Sequence, residues 1–463
     1  MPKVKEIVVV GGGITGLSAA YYLRETAEKR HLPLRISLFE ASGRLGGKIA
    51  TLKRDGFVIE RGPDSFLKRK KAALELVHDL GLDDQLVDNR TGTSYILKKG
   101  CLYPIPEGSI MGLPGKFKPF LESNLLSLDG KAQVLEELAE PPSGSFDDLS
   151  VGDFFEKRFG REMVDNIIAP LLSGVYGGDL YRLSLAATLP QFKKIAERSD
   201  SLLRAIHGMA LKKRTAQFAT LKNGLSALVM RLAGELSGMC ETDAPVRTIQ
   251  RDAGGKWRLT LSAGRKEAAD ALILATPLET VQSFFPELGA LRRPNAVPNT
   301  SMATIAMAFD KRAVTIDQDG TGFVAQKNEP LPIAAVTWTH LKWPHTTPDG
   351  KALLRTFIGG FGREALLQES DSALIDLSIK SLQSIKGIKI ERKPDFSVVT
   401  RLERSMPQYT VGHISWLKTL KQSIRAINPK IRLAGMSFDG IGLPDCIRQG
   451  KEAAEDLITA CFP

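Results

Sequence analysis

The sequence predicts an α/β protein in which a parallel strand-helix-strand unit is interrupted by a mixed sheet and a helical block. Three observations carry this. Residues 6–40 open on a β-branched run, then a glycine-rich turn, a helical stretch and a second apolar run. Runs suited to buried parallel strands recur at Ala271-Leu272-Ile273-Leu274-Ala275 and Ile431-Arg432-Leu433-Ala434-Gly435. Between the ends lie a helix-patterned stretch, 121–200, and strand-like runs with turns over 304–358.

The first strand is Ile7-Val8-Val9-Val10, short and β-branched throughout. Gly11-Gly12-Gly13-Ile14-Thr15-Gly16 follows and fits G-x-G-x-x-G. Residues 17–23 read as a helix, and Arg35-Ile36-Ser37-Leu38-Phe39 as a second strand ending on Glu40. Each part has a task. Gly11 permits the tight strand-to-helix turn, Gly13 lets backbone approach a pyrophosphate, and Gly16 lets the helix pack close to the strand. The helix start, with Ile14 and Thr15, aims N–H groups and partial positive charge at phosphate. Glu40 lies 24 residues past Gly16, near the offset of an acid that holds ribose hydroxyls. A bare glycine turn would need none of the other parts, so the unit reads as a Rossmann-like dinucleotide site.

Downstream, short strands are expected near 49–52 and 57–60, a turn at Gly62-Pro63-Asp64, and a helix over 70–80 ended by Gly81. Prolines and glycines crowd residues 104–119 and mark a boundary. Ser150-Val151-Gly152-Asp153 resembles a capping box. Residues 225–236 read as a helix, 246–261 as strands about a turn at Ala253-Gly254-Gly255, and 444–459 as a last helix. The dinucleotide-binding domain is therefore expected to be discontinuous: 1–60, 221–280 and 425–463. A sheet domain would take 61–103, 205–220 and 281–424, and a helical domain 104–204.

The totals bound the function. The chain has 463 residues, 43% hydrophobic and 25% charged, as in globular proteins. Its longest apolar runs are too short to cross a bilayer. The N-terminus leads straight into the first strand, so no separate signal peptide is expected. Four scattered cysteines form no C-x-x-C pair and six histidines no H-x-x-x-H, which argues against a disulfide framework, a zinc site or a dithiol relay. A cytoplasmic location is expected. The net charge of +11 suggests an acidic partner: an anionic small molecule, a membrane surface or nucleic acid.

Three features favour a tightly held flavin over a nicotinamide. Arg44-Leu45-Gly46-Gly47 follows Glu40 closely; its glycines let backbone pass near the pyrophosphate, whose charge Arg44 can offset. Gly435-Met436-Ser437-Phe438-Asp439-Gly440-Ile441-Gly442-Leu443-Pro444 joins a strand to a helix with proline at its start. That helix start can face the flavin edge that becomes negative on reduction. There is no second strand-G-x-G-x-x-G-helix unit, so electrons would leave to something small, with O2 the simplest acceptor.

These stretches resemble the FAD-dependent amine oxidase, phytoene desaturase and protoporphyrinogen oxidase superfamily. Ile59-Glu60-Arg61-Gly62-Pro63-Asp64-Ser65-Phe66-Leu67, Pro170-Leu171-Leu172-Ser173-Gly174-Val175-Tyr176-Gly177-Gly178-Asp179 and Ser405-Met406-Pro407-Gln408-Tyr409 resemble the Gram-positive-type coproporphyrinogen III and protoporphyrinogen oxidases. The resemblance covers nearly the whole chain. Two positions depart from it: Asn223, where many relatives carry glycine, and Leu402, where close relatives carry tryptophan.

The resemblance implies a p-hydroxybenzoate hydroxylase-like FAD domain. It implies FAD contacts from residues 11–16, Glu40, Ala41, Arg44, Gly46, Gly47, Lys48, Gly62, Pro63, Asp64, Ser65, the Val246 backbone, Ile441, Gly442 and Leu443. It implies substrate contacts from Lys70, with Arg69 and Lys71 beside it, and from Gly174, Val175 and Tyr176. It also implies oxidation of coproporphyrinogen III, and in vitro of protoporphyrinogen IX, with FAD and O2 in haem biosynthesis. Forming a porphyrin removes six electrons, so a two-electron flavin cycles three times and three O2 become three H2O2. Aromaticity of the product drives the reaction, and the protein's task is to orient the macrocycle. No Ser/His/Asp or paired-carboxylate constellation stands out, and no catalytic side chain is assigned. The expected partners are a porphyrinogen and O2, without nucleic acid; a peripheral membrane contact and a transient contact with the next haem-pathway enzyme stay open. Two other readings stay open as well. One is a flavin amine oxidase, disfavoured by 7% aromatics and the basic balance. The other is a flavoprotein that binds tetrapyrroles without turnover.

Overall fold

The structure is a computed structural model that describes residues 4–90, 92–139, 148–210, 217–293 and 295–463. Its organising layer is a parallel five-stranded sheet in the order Cys240–Glu241, Leu34–Phe39, Lys5–Val10, Ala271–Leu274, Ile431–Leu433. Parallel neighbours need crossover connections, and here the crossovers hold the rest of the molecule. The central strand alternates. Ile7 and Val9 enter one apolar core and Val8 and Val10 another, so both faces are covered.

Helices Ile14–Lys29 and Leu443–Cys461 pack on the first face. They approach closely because Gly450 stands at their crossing: a Cβ there would lie 2.4 Å from Thr15 O. On the second face lie a three-stranded antiparallel sheet (Thr248–Arg251, Trp257–Thr260, Lys266–Ala269) and the helices Leu278–Phe284 and His413–Ile427.

A seven-stranded sheet forms the second body, running from Phe396–Met406 through Thr300–Asp310, Lys351–Gly359, Ile333–Trp338, Gly322–Ala325 and Ser94–Lys98 to Cys101–Pro104. Gly322–Ala325 and Ser94–Lys98 pair in parallel and the other neighbours antiparallel, so the sheet is mixed, as expected. The helical block surrounds Phe154, Phe155, Phe159 and Phe192. Ser150 caps the helix Val151–Met163, its Oγ accepting from Asp153 N at 3.0 Å. Glu137 and Arg158 form a buried ion pair at 3.1 Å within this block.

The helix expected from residue 70 begins at Ala72, and Lys70 and Lys71 precede it as a turn. The helix His413–Ile427 had no reading in the sequence because it starts on Gly412 with φ +91° and no side-chain cap, so the usual start signal is missing. Asn223 keeps negative φ; Gly224 takes the left-handed position at +85°, which removes the conformational burden from the departing residue. Leu113 is fully buried, and Ile110 and Met111 pack against the helical core, so that apolar run does not face outward. Among the described residues no helix is long and apolar enough to cross a membrane.

Candidate functional site

The glycine turn leaves the central strand with Gly11 at φ +107°; a Cβ there would lie 2.6 Å from Ala275 O. The helix Ile14–Lys29 starts on Gly13 without a side-chain cap, and a Cβ on Gly13 would meet nothing within 4 Å. Its N-terminal N–H groups thus open onto free space, as an anion site requires. Glu40 is held at the end of the second strand: Oε2 accepts from Gly12 N at 2.6 Å, and Oε1 from Ser42 N at 2.9 Å and Ser42 Oγ at 2.7 Å. Asp243 N and Ala244 N donate to Ser42 O and Glu40 O, which brings the 243–246 segment, and with it half-buried Val246, alongside Glu40 and exposed Ala41.

The second glycine run packs directly on the first. Gly46 N donates to Gly12 O at 2.8 Å, Gly13 and Gly46 form a parallel bridge, and a Cβ on Gly47 would lie 3.2 Å from Gly13 Cα. Two separate stretches thereby make one backbone floor. Arg44 folds back on its own loop, donating to Ile49 O at 3.0 Å. Lys48 stands on the groove wall, its Nζ 2.7 Å from Ser405 O and beside Met436. The side chain still meets solvent, yet protein surrounds it; that desolvation, opposed by the Cys446 thiol, lowers the amine to about 8.

Gly62, Pro63, Asp64 and Ser65 form the next wall. A Cβ on Gly62 would lie 1.8 Å from Lys48 O, so only glycine brings these segments together. Buried Arg355 donates through Nη2 to Gly62 O at 2.6 Å. Ser65 Oγ donates to Asp64 Oδ1 at 2.6 Å, and Lys342 Nζ to Oδ2 at 3.1 Å. Burial pushes the Asp64 carboxyl up, but Lys342, Arg355 and the Ser65 hydrogen bond outweigh it and hold it well below the usual carboxylate range. Sequence reasoning missed Lys342 and Arg355. The signal for Arg355 was a cation in the middle of the otherwise uncharged run 352–359 of the strand Lys351–Gly359.

The C-terminal loop, 435–442, is pinned from two sides. Tyr409 Oη donates to Met436 O at 2.7 Å and accepts from Gly440 N at 3.0 Å. His413 Nε2 lies 2.7 Å from Phe438 O, and its ring stacks on Tyr409 at 4.1 Å; burial pulls that imidazole down to about 4. From the last helix, Gln449 accepts from Gly435 N at 3.1 Å and donates to Asp439 O at 2.7 Å. Ile441, Gly442 and Leu443 lead into that helix, which starts on Gly442 without a side-chain cap and has Pro444 in its first turn. The Cβ position of Gly435 is 3.8 Å from Thr15 Oγ1, so the two uncapped helix starts belong to one site.

The basic run divides. Lys68 pairs with Asp88, Arg69 and Lys71 are exposed, and Lys70 Nζ lies 2.5 Å from Asp445 Oδ2 in the first turn of the last helix. Tyr176 donates to Thr188 O at 2.7 Å; burial and nearby Asp445 push its phenol up, with Arg69 opposing. Lys70, Arg69 and Tyr176 are thus brought together around Asp445, while Lys71 lies just before the next helix. Gly174 is exposed in the same helix, Ala169–Tyr176, and the Val175 side chain lies outside what the structure describes. Gln408 Nε2 joins this wall to the end of the strand Phe396–Met406, donating to Tyr176 O at 2.9 Å and Met406 O at 3.0 Å.

A parallel sheet with two uncapped helix starts, a double glycine floor and a terminal glutamate defines a Rossmann-like dinucleotide-binding protein. The family model of the flavin containing amine oxidoreductases matches residues 14–458, and the chain belongs to this family. The bound group is therefore a flavin, and the residues on this floor fit its dinucleotide form, FAD. The chain is 41% identical over 466 residues to the coproporphyrinogen III oxidase of Bacillus subtilis strain 168, covering 99% of each. It is 37% identical to that of Staphylococcus aureus strain NCTC 8325, over 98% of this chain and 99% of the relative. Among solved structures, a putative protoporphyrinogen oxidase from Exiguobacterium sp. 255-15 superposes with a TM-score of 0.89 at 37% identity, covering 99% of both chains.

Glu40→Ala is expected to weaken FAD binding by about 1.5–3 kcal/mol, roughly ten- to 150-fold in Kd. Fluorescence titration of the apoprotein with FAD reads this directly. Equal Kd in mutant and parent would remove Glu40 from the ribose contact.

Proposed function

We propose that the protein oxidises coproporphyrinogen III to coproporphyrin III with O2, giving H2O2, in haem biosynthesis. The observation that carries this reading is the likeness to coproporphyrinogen III oxidases along the full length of both chains. FAD, bound on the glycine floor, supplies the two-electron acceptor. The residues named above then have positioning roles. Residues 11–16, Arg44, Gly46, Gly47 and Lys48 take the pyrophosphate side, and Glu40, Ala41 and Val246 the ribose and adenine. Residues 62–65 and 441–443 border the ring. Lys70, with Arg69 and Lys71 beside it, holds a propionate, and Gly174, Val175 and Tyr176 form the facing wall. Discontinuous domains at 1–60, 221–280 and 425–463, at 61–103, 205–220 and 281–424, and at 104–204 complete this reading.

The cytoplasm is the proposed location, with a peripheral membrane contact and a transient handover to the next haem-pathway enzyme. Leu121 and Leu128, 47% and 81% exposed on the helical block, support the membrane contact.

The second reading is protoporphyrinogen IX as the main substrate, favoured by the name of the Exiguobacterium structure. Coproporphyrinogen carries four propionates and protoporphyrinogen two plus two vinyls. The charge of +11 favours the former. Measuring kcat/KM for both substrates under one set of conditions tests this, with the higher value expected for coproporphyrinogen III. Lys70 already shares Asp445, so Lys70→Ala is expected to raise KM for the four-propionate substrate by up to about fivefold. A higher specificity for protoporphyrinogen would transfer the conclusion to the second reading.

A further inference from the structure

Behind Asp64 a recessed pocket lies between the strands Phe57–Glu60, Thr300–Asp310 and Lys351–Gly359 and the turn at 339–346. Its free volume is about 20 Å³, room for one particle of water or halide size. Among the described residues, 15 buried side-chain polar atoms have no hydrogen-bond partner, and 5 of them belong to residues lining this one pocket: Thr339 Oγ1, Trp343 Nε1, both ring nitrogens of His345, and Arg355 Nε. Trp343 and Arg355 are 1% and 4% exposed. Their two N–H groups can only donate, so whatever satisfies them must bring lone pairs.

The carboxylates in the pocket wall are already engaged. Glu60 accepts from Leu225 N at 2.6 Å and Thr51 Oγ1 at 3.0 Å, and Asp64 accepts from Ser65 and Lys342. Burial raises the Glu60 carboxyl to about 7, against the pull of Leu225 N, Thr51 and Arg355 and with a push from Asp64. Arg355 is the cation in the pocket lining; Lys342 stands on Asp64 from outside it, and near neutral pH Glu60 is incompletely ionised, so carboxylate charge does not fully match Arg355. Burial and Lys222 lower the His345 imidazole, so it adds little charge and can donate from one nitrogen.

We propose that this pocket is a halide site that takes one chloride-sized monovalent anion on the indole N–H of Trp343, the Arg355 Nε–H and the Thr339 hydroxyl. The anion completes the shell of Arg355, the residue that holds Gly62 O, and so braces the turn beside the proposed flavin edge. The site does not depend on which porphyrinogen is oxidised.

Two measurements on the holoenzyme test it. Bromide-soaked crystals are read by anomalous diffraction, and thermal melting is followed in chloride against gluconate at fixed ionic strength. One bromide peak in the pocket, touching Trp343 and Arg355, is expected, with a melting temperature that rises and saturates in chloride alone. Trp343→Phe should abolish the saturable part; if that variant does not fold, Thr339→Val should weaken it. Water density without a bromide peak overturns the proposal. So does a peak without a saturable response, which marks binding at crystal concentration only. Identical melting in both salts also overturns it.

Discussion

Glu137→Ala is expected to destabilise the protein by about 3–5 kcal/mol, the cost of removing one half of a buried ion pair. The side chains of Glu137 and Arg158 are 0% and 2% exposed. The carboxylate also accepts from Ser201 Oγ at 2.7 Å, Leu202 N at 2.6 Å and Leu203 N at 3.1 Å. It therefore caps the helix Leu202–Ala210 from a distant part of the chain, beside the local cap Ser201, whose Oγ accepts from Arg204 N at 3.2 Å. Removing it takes the acceptor from Ser201 and from the first N–H groups of the helix, and a buried carboxylate from Arg158. Urea unfolding followed by circular dichroism checks this; a loss under about 1 kcal/mol would mean that the block relaxes around Arg158.

Gly16→Val is expected to yield protein without FAD. A Cβ at Gly16 would stand 1.9 Å from Gly11 O and 3.1 Å from Gly11 C. Both are backbone atoms, so the turn must move as a whole. Overpacking costs about 1–3 kcal/mol where side chains can adjust; with rigid backbone on the far side, the upper end or more applies. The displacement separates Gly12 N from Glu40 and Gly46 N from Gly12 O, so the floor opens along with the turn. The flavin absorbance ratio after gel filtration reads the outcome. Full FAD occupancy in a folded Gly16→Val protein would contradict the role assigned to this close approach.

Much of the site lies in local signals. The run Ile7-Val8-Val9-Val10, the six residues after it and Glu40 are legible because strand period, positive φ and helix starts depend on a few neighbouring residues. The helix Asp371–Gln383 carried such a signal in its cap Ser370, yet it had no reading in the sequence. The helix His413–Ile427 carried none, and the strand Lys351–Gly359 hides Arg355 among apolar residues.

The sequence by itself determined the parallel sheet unit, the glycine turn with its acid, and the glycine-rich run before the last helix. Only the tertiary structure decided that Gly46 lies on Gly13, that Lys342 and Arg355 hold Asp64 and Gly62, and that Tyr409 and His413 pin residues 436–440. It also decided that Lys70 meets Asp445, 375 residues away along the chain. The physical reason is range. Backbone preferences act within a turn or two, whereas ion pairs, close backbone approaches and pockets form between segments whose meeting is set by the packing of the whole chain.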